Sequence, residues 1–365
     1  MKLTVILVLF MAAGAGAQDA ASGIELWSKM KPIRPRGYVC YRAAGPIRID
    51  GRADEPAWAE APWTENFVDI EDGGKPPPRF RTRAKMLWDD RYLYVYVELE
   101  EPHVWATIRK KNEVIFYDND FEVFINPDGN NHNYYEYEMN AFNTIWELTL
   151  DKPYKDGGPA HLGTNLEGLV SAVHVKGTIN NPTDTDRGWS VEVAVPFKGL
   201  KKYATNVPCP PVDGEQWRID FSRVEWLVDI IDGKYRKIPR EARPEDNWVW
   251  SPTGIIDMHR PERWGYIQFS SRQSGTDHFH RDPTLPARDL LMEVYYRQRD
   301  FQKQHGRYAA SLADLAMTGP APSPIEGPVD LATTDIGYVA SVKIGLPDGP
   351  SQLLHVREDS KLWGD

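Results

Sequence analysis

Apolar and polar residues alternate with a period of two in a series of short runs between residues 80 and 270, the mark of half-buried strands. Tyr92–Glu98 reads Y-L-Y-V-Y-V-E, with Leu93, Val95 and Val97 on one face and Tyr92, Tyr94 and Tyr96 on the other. Phe80–Trp88 precedes it across Asp89-Asp90, so the two runs are expected to form a hairpin. Further strands are predicted over Phe121–Ile125, Tyr134–Asn140, Thr144–Leu150, Leu169–Val175, Trp189–Val195, Trp217–Arg223, Trp248–Trp250 and Tyr266–Phe269. Turn-forming clusters such as Asn126-Pro127-Asp128-Gly129 separate them. Before residue 280 only Asp54–Glu60 reads as a short helix, with Pro56 in its first turn. About ten short strands joined by turns predict an all-β, antiparallel, jelly-roll-like β-sandwich over residues 45–272.

The flanks read differently. Residues 18–44 carry Pro32 and Pro35 and lack a clear period, and are expected to be an N-terminal arm. Leu290, Leu291, Val294, Tyr295, Gln298 and Phe301 recur at three and four, predicting helix within Leu285–Met317. Gly319–Pro328 then reads as a loop, and Tyr338–Ile344 with Gln352–Arg357 as a closing hairpin. Residues 285–365 are therefore expected to form a small C-terminal α+β appendage. At the other end, Lys2, the apolar run Leu3–Ala13 and Ala15-Gly16-Ala17 form a signal-peptide pattern over residues 1–17. The mature chain is expected to start near Gln18 and to be secreted or periplasmic, with no membrane span. Export makes a Cys40–Cys209 disulfide chemically possible and leaves the pairing open.

Charge and motifs narrow the chemistry. Against 43 Lys and Arg stand 53 Asp and Glu, a net charge of −10 with no basic run, which argues against nucleic-acid or anionic-membrane binding. No G-x-S-x-G, H-E-x-x-H, G-x-x-x-x-G-K or strand-coupled G-x-G-x-x-G is present. His278 and His280 are read as two solvated imidazoles in a linker. Three constellations remain. Asp118 and Asp120, in Tyr117-Asp118-Asn119-Asp120, offer oxygens suited to calcium. Glu136, Glu138 and Asn140 share one face of a strand and suit sugar hydroxyls or, as a carboxylate pair, glycoside hydrolysis. Trp248, Trp250 and the segment His259–Gly265 place aromatic rings beside polar groups, as a sugar platform requires.

Taken in order, several segments resemble a family 9 carbohydrate-binding module, a DOMON-like sandwich, over about residues 45–270. They are Ile49-Asp50-Gly51 with Trp58; Ala84–Trp88 with Leu93-Tyr94-Val95; Asp120–Ile125 with Asn126-Pro127-Asp128; Tyr134–Asn140; Trp189 with Glu192–Phe197; Gly214–Trp217 with Arg223; and Trp250-Ser251-Pro252 with His259, Pro261 and Trp264-Gly265. The resemblance implies structural calcium, partnership with polysaccharide-degrading enzymes, and binding of sugar chain ends between two Trp. Glu122 matches the family's carboxylate, while Phe116 or Tyr117 stands where the first Trp is expected. Met258 or His259 takes the second Trp position, and Glu138 replaces a basic residue. The expected function is a secreted, non-catalytic protein that binds a polysaccharide or oligosaccharide. Its platform would be Phe116, Tyr117 and Trp250, with Glu122, Glu138, Asn140, Arg223 and His259 as hydrogen-bonding partners. The alternatives are a haem-binding electron-transfer domain using Met139 or Met258 with His259, and a glycoside hydrolase using Glu122, Glu136 or Glu138.

Overall fold

The computed structural model describes residues 21–365 apart from Ala242 and Asp348, so the leader pattern at 1–17 lies outside the described residues. The strands, in chain order, are β1 (Gly37–Arg42), β2 (Val68–Asp69), β3 (Thr82–Trp88), β4 (Tyr92–Leu99), β5 (Asp120–Asn126), β6 (Tyr134–Asn140) and β7 (Ile145–Leu150). There follow β8 (Ala160–Leu162), β9 (Val170–Val175), β10 (Trp189–Pro196), β11 (Gln216–Trp226), β12 (Val228–Ile231), β13 (Lys234–Lys237), β14 (Glu245–Val249) and β15 (Gly265–Ser270). The tail adds β16 (Ile325–Thr333), β17 (Tyr338–Ile344), β18 (Gln352–Arg357) and β19 (Leu362–Gly364). Helices are α1 (Gly23–Met30), α2 (Pro56–Glu60), α3 (Phe197–Leu200) and α4 (Leu285–His305).

Among the described residues thirteen strands make one curled sheet in the order β8-β7-β6-β5-β11-β15-β1-β3-β4-β10-β9, with β14 and β2 extending from β11. The β3–β4 hairpin forms as the alternation requires, with Trp88 opposite Leu93. Leu93, Val95 and Val97 are completely buried and meet Val123, Tyr137 and Phe221 from the other half of the sheet in a single core. The sheet thus folds over itself, in the manner of a sandwich.

Two expectations are corrected. The sheet is mixed, not purely antiparallel, because β1 runs parallel to both β15 and β3, with Tyr38 opposite Ile267 and Tyr41 opposite Leu87. That strand comes from the segment read as an arm. Flanking prolines obscured a six-residue run whose Tyr38 and Cys40 point into the core. Its position bridges the two halves of the sheet, so the N-terminal segment is part of the fold. Cys40 and Cys209 are free thiols: Cys40 is buried and Cys209 Sγ donates to the Phe197 carbonyl at 3.3 Å.

The tail is larger and more firmly attached than a hairpin. Helix α4 stops at Gly306, whose φ of 69° suits a left-handed C-cap, so it ends short of Met317. The expected hairpin strands β17 and β18 are the centre of a four-stranded antiparallel sheet, since β16 begins inside the stretch read as a loop. Helix α1 packs on α4 with Trp27 stacked on Tyr296 at 5.4 Å, and the two share a core with Ala340, Val342 and Leu354. Polar contacts join this unit to the sandwich: Asn131 Nδ2 donates to the Ser360 carbonyl at 2.9 Å, and Arg288 to that of Gly129 at 2.9 Å. The β5–β6 turn is thereby fastened to the tail.

Trp27 is 1% exposed. Trp27→Ala should cost about 3–5 kcal/mol, the range for truncating a buried aromatic. Urea unfolding followed by far-ultraviolet circular dichroism measures it. A cost near zero would show that α1 does not seal the tail.

Candidate functional site

Strands β5 and β6 sort their side chains by parity. Phe121, Val123 and Ile125, with Tyr135, Tyr137 and Met139, enter the core. The even-numbered residues face the other way. Register then sets them in rows. Trp146, Glu138, Glu122 and Ser222 lie across β7, β6, β5 and β11 in one row. Leu148, Glu136, Phe124 and Asp220 make the next, and Asn140 pairs with Asp120 on the other side.

This face is covered. Asp120, Glu122, Glu136 and Glu138 are 0%, 6%, 3% and 2% exposed. Asp120, Glu122 and Glu138 each bring an oxygen within 4.8 Å of the others. Burial, and then the charge of Glu122, hold Asp120, Glu136 and Glu138 well above the usual carboxylate range. Burial pushes Glu122 to about 7, against the lowering influence of the Ser222 hydroxyl. Phe124, Tyr134 and Tyr154 enclose His259, whose Nδ1 lies 2.9 Å from Tyr134 Oη and 3.9 Å from Glu136 Oε2. Burial lowers the His259 pKa to about 4, so its ring is neutral.

The predicted residues divide. Asp120, Glu122 and Glu138 converge, and His259 joins them through Glu136. Asp118 does not ligate: it accepts from Thr107 N at 2.8 Å, Thr107 Oγ1 at 2.7 Å, Ile108 N at 2.9 Å and Asn140 Nδ2 at 2.9 Å. Those four donors use both carboxylate oxygens, so Asp118 closes the 107–118 loop. Asn140 is equally occupied, donating to the Ile108 carbonyl and accepting from Phe142 N and Thr144 N. Arg223 lies elsewhere, ion-paired to Glu101 at 3.0 Å and Glu225 at 2.8 Å and fully buried. Its odd number on β11 sends it away from Glu122. Trp250 has no exposed face to offer a sugar; it is 0% exposed, packed on Phe221 and on Gly265, where any Cβ would sit 2.5 Å from the indole. Met139 and His259 lie on opposite faces of β6, so the two cannot ligate one haem iron. The carboxylates sit side by side on one face, whereas glycoside hydrolysis places acid and base on either side of the scissile bond.

Of the aromatic candidates, Phe116 is half-buried against Trp146, and Tyr117 is 46% exposed. Tyr117 borders a groove of about 680 Å³ lined by Trp105, Thr107, Asn180, Tyr235 and Lys237. Tyr235 and Lys237 come from β13, paired with β12 in a hairpin that sequence reasoning missed. Its signal was the Asp232-Gly233 turn, both residues at positive φ. Lys237 Nζ lies 3.4 Å above the Trp226 ring and donates to the Tyr117 carbonyl; burial lowers its pKa to about 8. The structure also brings His278 and His280 together with Asp277 in an exposed group within 4.8 Å.

Comparison with known proteins finds a family to which the segment bearing β5 and β6 is similar. Residues 49–209 match the family model described as carbohydrate family 9 binding domain-like. The segment 49–209 is similar to family 9 carbohydrate-binding modules. It includes β5 and β6, and β11 with Ser222 lies just beyond it. The module is 28% identical over 155 residues to the exoglucanase XynX of Acetivibrio thermocellus, covering 42% of this chain. It is 25% identical over 157 residues to endo-1,4-beta-xylanase C of Paenibacillus barcinonensis, covering 43% of this chain. The match is 12% of each relative's length, so the chain spans about an eighth of these curated relatives. Among solved structures, a putative carbohydrate-binding protein from Bacteroides uniformis aligns with a TM-score of 0.47 at 15% identity, over 65% of this chain and all of that one. A family 9 module from Caldicellulosiruptor kristjanssonii in complex with cellotriose aligns with a TM-score of 0.42 at 15% identity, over 68% of this chain and all of the module.

The two aromatics assigned to one platform should part company in a stability assay. Trp250→Ala is expected to cost about 3–5 kcal/mol and Tyr117→Ala within about 0.5 kcal/mol, as core and surface positions do. Chemical denaturation of both variants checks it, and equal costs would refute the burial assignment.

Proposed function

We propose that this protein is a non-catalytic carbohydrate-binding protein whose sugar lies in the groove beside Tyr117. The observation that carries this reading is an exposed Tyr117 ring bordering an aromatic groove within a family 9 carbohydrate-binding-like module. A flat exposed ring takes the C–H face of a sugar, and Lys237, with the Thr107 hydroxyl as an acceptor, supplies polar groups for its hydroxyls, while the Asn180 amide is already paired with the Ala106 backbone. Trp250 has no part in it.

The leader pattern at residues 1–17 supports a secreted or periplasmic protein, and no described helix is long and apolar enough to cross a membrane. The names of the relatives, an exoglucanase and a xylanase, direct the ligand toward β-glucans and xylans. Enzymes that degrade those polysaccharides are the proposed partners, in the service of carbohydrate catabolism.

Calorimetric titration of the chain from Gln18 onward with cello- and xylo-oligosaccharides tests this. Saturable binding is expected, weakened about tenfold or more in Tyr117→Ala, equivalent to about 1.4 kcal/mol. No binding to either series, or unchanged affinity in Tyr117→Ala, would remove the groove as the site.

A further inference from the structure

The segment between β15 and α4 has no regular structure, yet its backbone is pinned residue by residue. Tyr41 Oη donates to the Asp277 carbonyl at 3.0 Å and accepts from Asp277 N at 3.2 Å. Gln268 on β15 donates through Nε2 to the His278 carbonyl at 3.0 Å and accepts through Oε1 from His280 N at 2.8 Å. Gln216 on β11 donates to the His280 carbonyl. Phe279 sets which way the side chains turn. Its ring covers Gly37 at the start of β1, where any Cβ would sit 2.3 Å from it, and its centroid lies 6.3 Å from that of Tyr266. His278 and His280 flank this anchor, and both are exposed. Their ring centroids are 4.3 Å apart.

Asp277 completes the group. One donor atom from each of Asp277, His278 and His280 lies within 4.8 Å of the other two. The carboxylate is held in place, with Oδ2 accepting from Ser270 Oγ at 2.7 Å and Oδ1 from His278 N at 2.9 Å. Such support from a neighbouring hydroxyl and amide orients a ligating side chain. The imidazoles are uncommitted. His103, His132, His161, His259 and His355 each engage a ring nitrogen with a protein oxygen. Among the described residues the rings of His278 and His280 make no such bond, so two free imidazoles and one fixed carboxylate meet on a rigid stretch of chain.

We propose that Asp277, His278 and His280 bind one divalent transition-metal ion of the borderline class, zinc or copper(II). Imidazole nitrogen with one carboxylate suits these ions, whereas calcium and magnesium take shells of oxygen. Ligand atoms at about 2.0–2.1 Å from a tetrahedral zinc stand about 3.3 Å apart. Rotation of two exposed rings closes that gap with the backbone unmoved. Three protein ligands leave a coordination position open to water or to a donor from another molecule. Arg272, 3.6 Å from Asp277 Oδ1, is the charge that the ion displaces. The site lies beyond the matched segment 49–209, shares no residue with the Tyr117 groove and needs no sugar.

Calorimetric titration of the untagged, chelator-stripped chain from Gln18 onward with zinc chloride and with copper(II) chloride tests this. One ion per chain is expected, copper the tighter, as the Irving–Williams order requires. His278→Ala and His280→Ala should each weaken zinc binding by about tenfold or more, and the double variant should abolish it. His161→Ala, at an exposed histidine that pairs with Asp151 at 3.0 Å, should leave it unchanged. Electron paramagnetic resonance of the copper-loaded chain gives a second readout: coupling to two imidazole nitrogens in the parent and to one in either single variant. Should one variant fail to fold by far-ultraviolet circular dichroism, the other is read in its place with the same expectation. No saturable zinc uptake, intact binding in the double variant, or an equal loss in His161→Ala would each overturn the proposal. Glycan binding is not a readout here, so the failure of one proposal is distinguishable from failure of the other.

Discussion

The register between β5 and β6 is the constraint on which the rest of the structure depends. A strand has two faces, and a slip of one residue exchanges them. Odd positions of both strands fill the core with Phe121, Val123, Tyr135 and Tyr137, so even positions have no freedom to move. Asp120, Glu122, Glu136 and Glu138 are consequently held together whatever their mutual repulsion. Core packing supplies the free energy, and the carboxylate cluster is its consequence.

The same pair of strands governs how the chain ends are used. The turn after β5 carries Asn130, Asn131 and His132, all buried, and these contact the tail around Asp359–Leu362. Helix α1 from one end of the described chain and α4 from near the other pack on each other, with Asp300 accepting from the backbone of Gly23 and Ile24 at 2.6 and 2.9 Å. Strand β1 then carries the chain into the middle of the sheet. The module is thus clasped from both sides by segments that lie outside the matched residues, which stiffens the very hairpin that bears the acids.

Strands whose alternation is long and unbroken were legible in the sequence: β3, β4, β6 and β10 stand where the period-two runs lie. Strand β1 was obscured because its run is short and its partners, β15 and β3, are distant and parallel, a pairing that no local turn announces. At the site, Glu138 was recognisable from strand parity, and Glu122 and His259 from the family resemblance. Trp250 and Arg223 misled for one reason: residue type marks chemical capacity and says nothing of which way the side chain turns. Trp250 goes to the core and Arg223 to its own acid pair. Tyr235 and Lys237 were missed because the groove depends on a hairpin whose burial alternation is weak, only half-buried on its inner side.

Glu138 is where this module's chemistry departs most from the family resemblance. A basic residue at that place would face Glu122 across the strands and neutralise it, leaving a polar floor suited to sugar hydroxyls. Glutamate reverses the sign of the pair. The floor then holds several acids and, among the described residues, no Lys or Arg ion-paired to them, with His259 beside Glu136 at 3.9 Å, in an enclosure where each unpaired charge is expensive. Sugar hydroxyls can satisfy hydrogen-bonding needs but carry no charge to offset the excess. A floor of this kind suits a neutral ligand poorly, while Tyr117 keeps an exposed ring outside it. With glutamate at 138, the buried acids and the exposed ring of the proposed sugar site are different places: the acids lie beneath the aromatic cover, and Tyr117 stands at the groove.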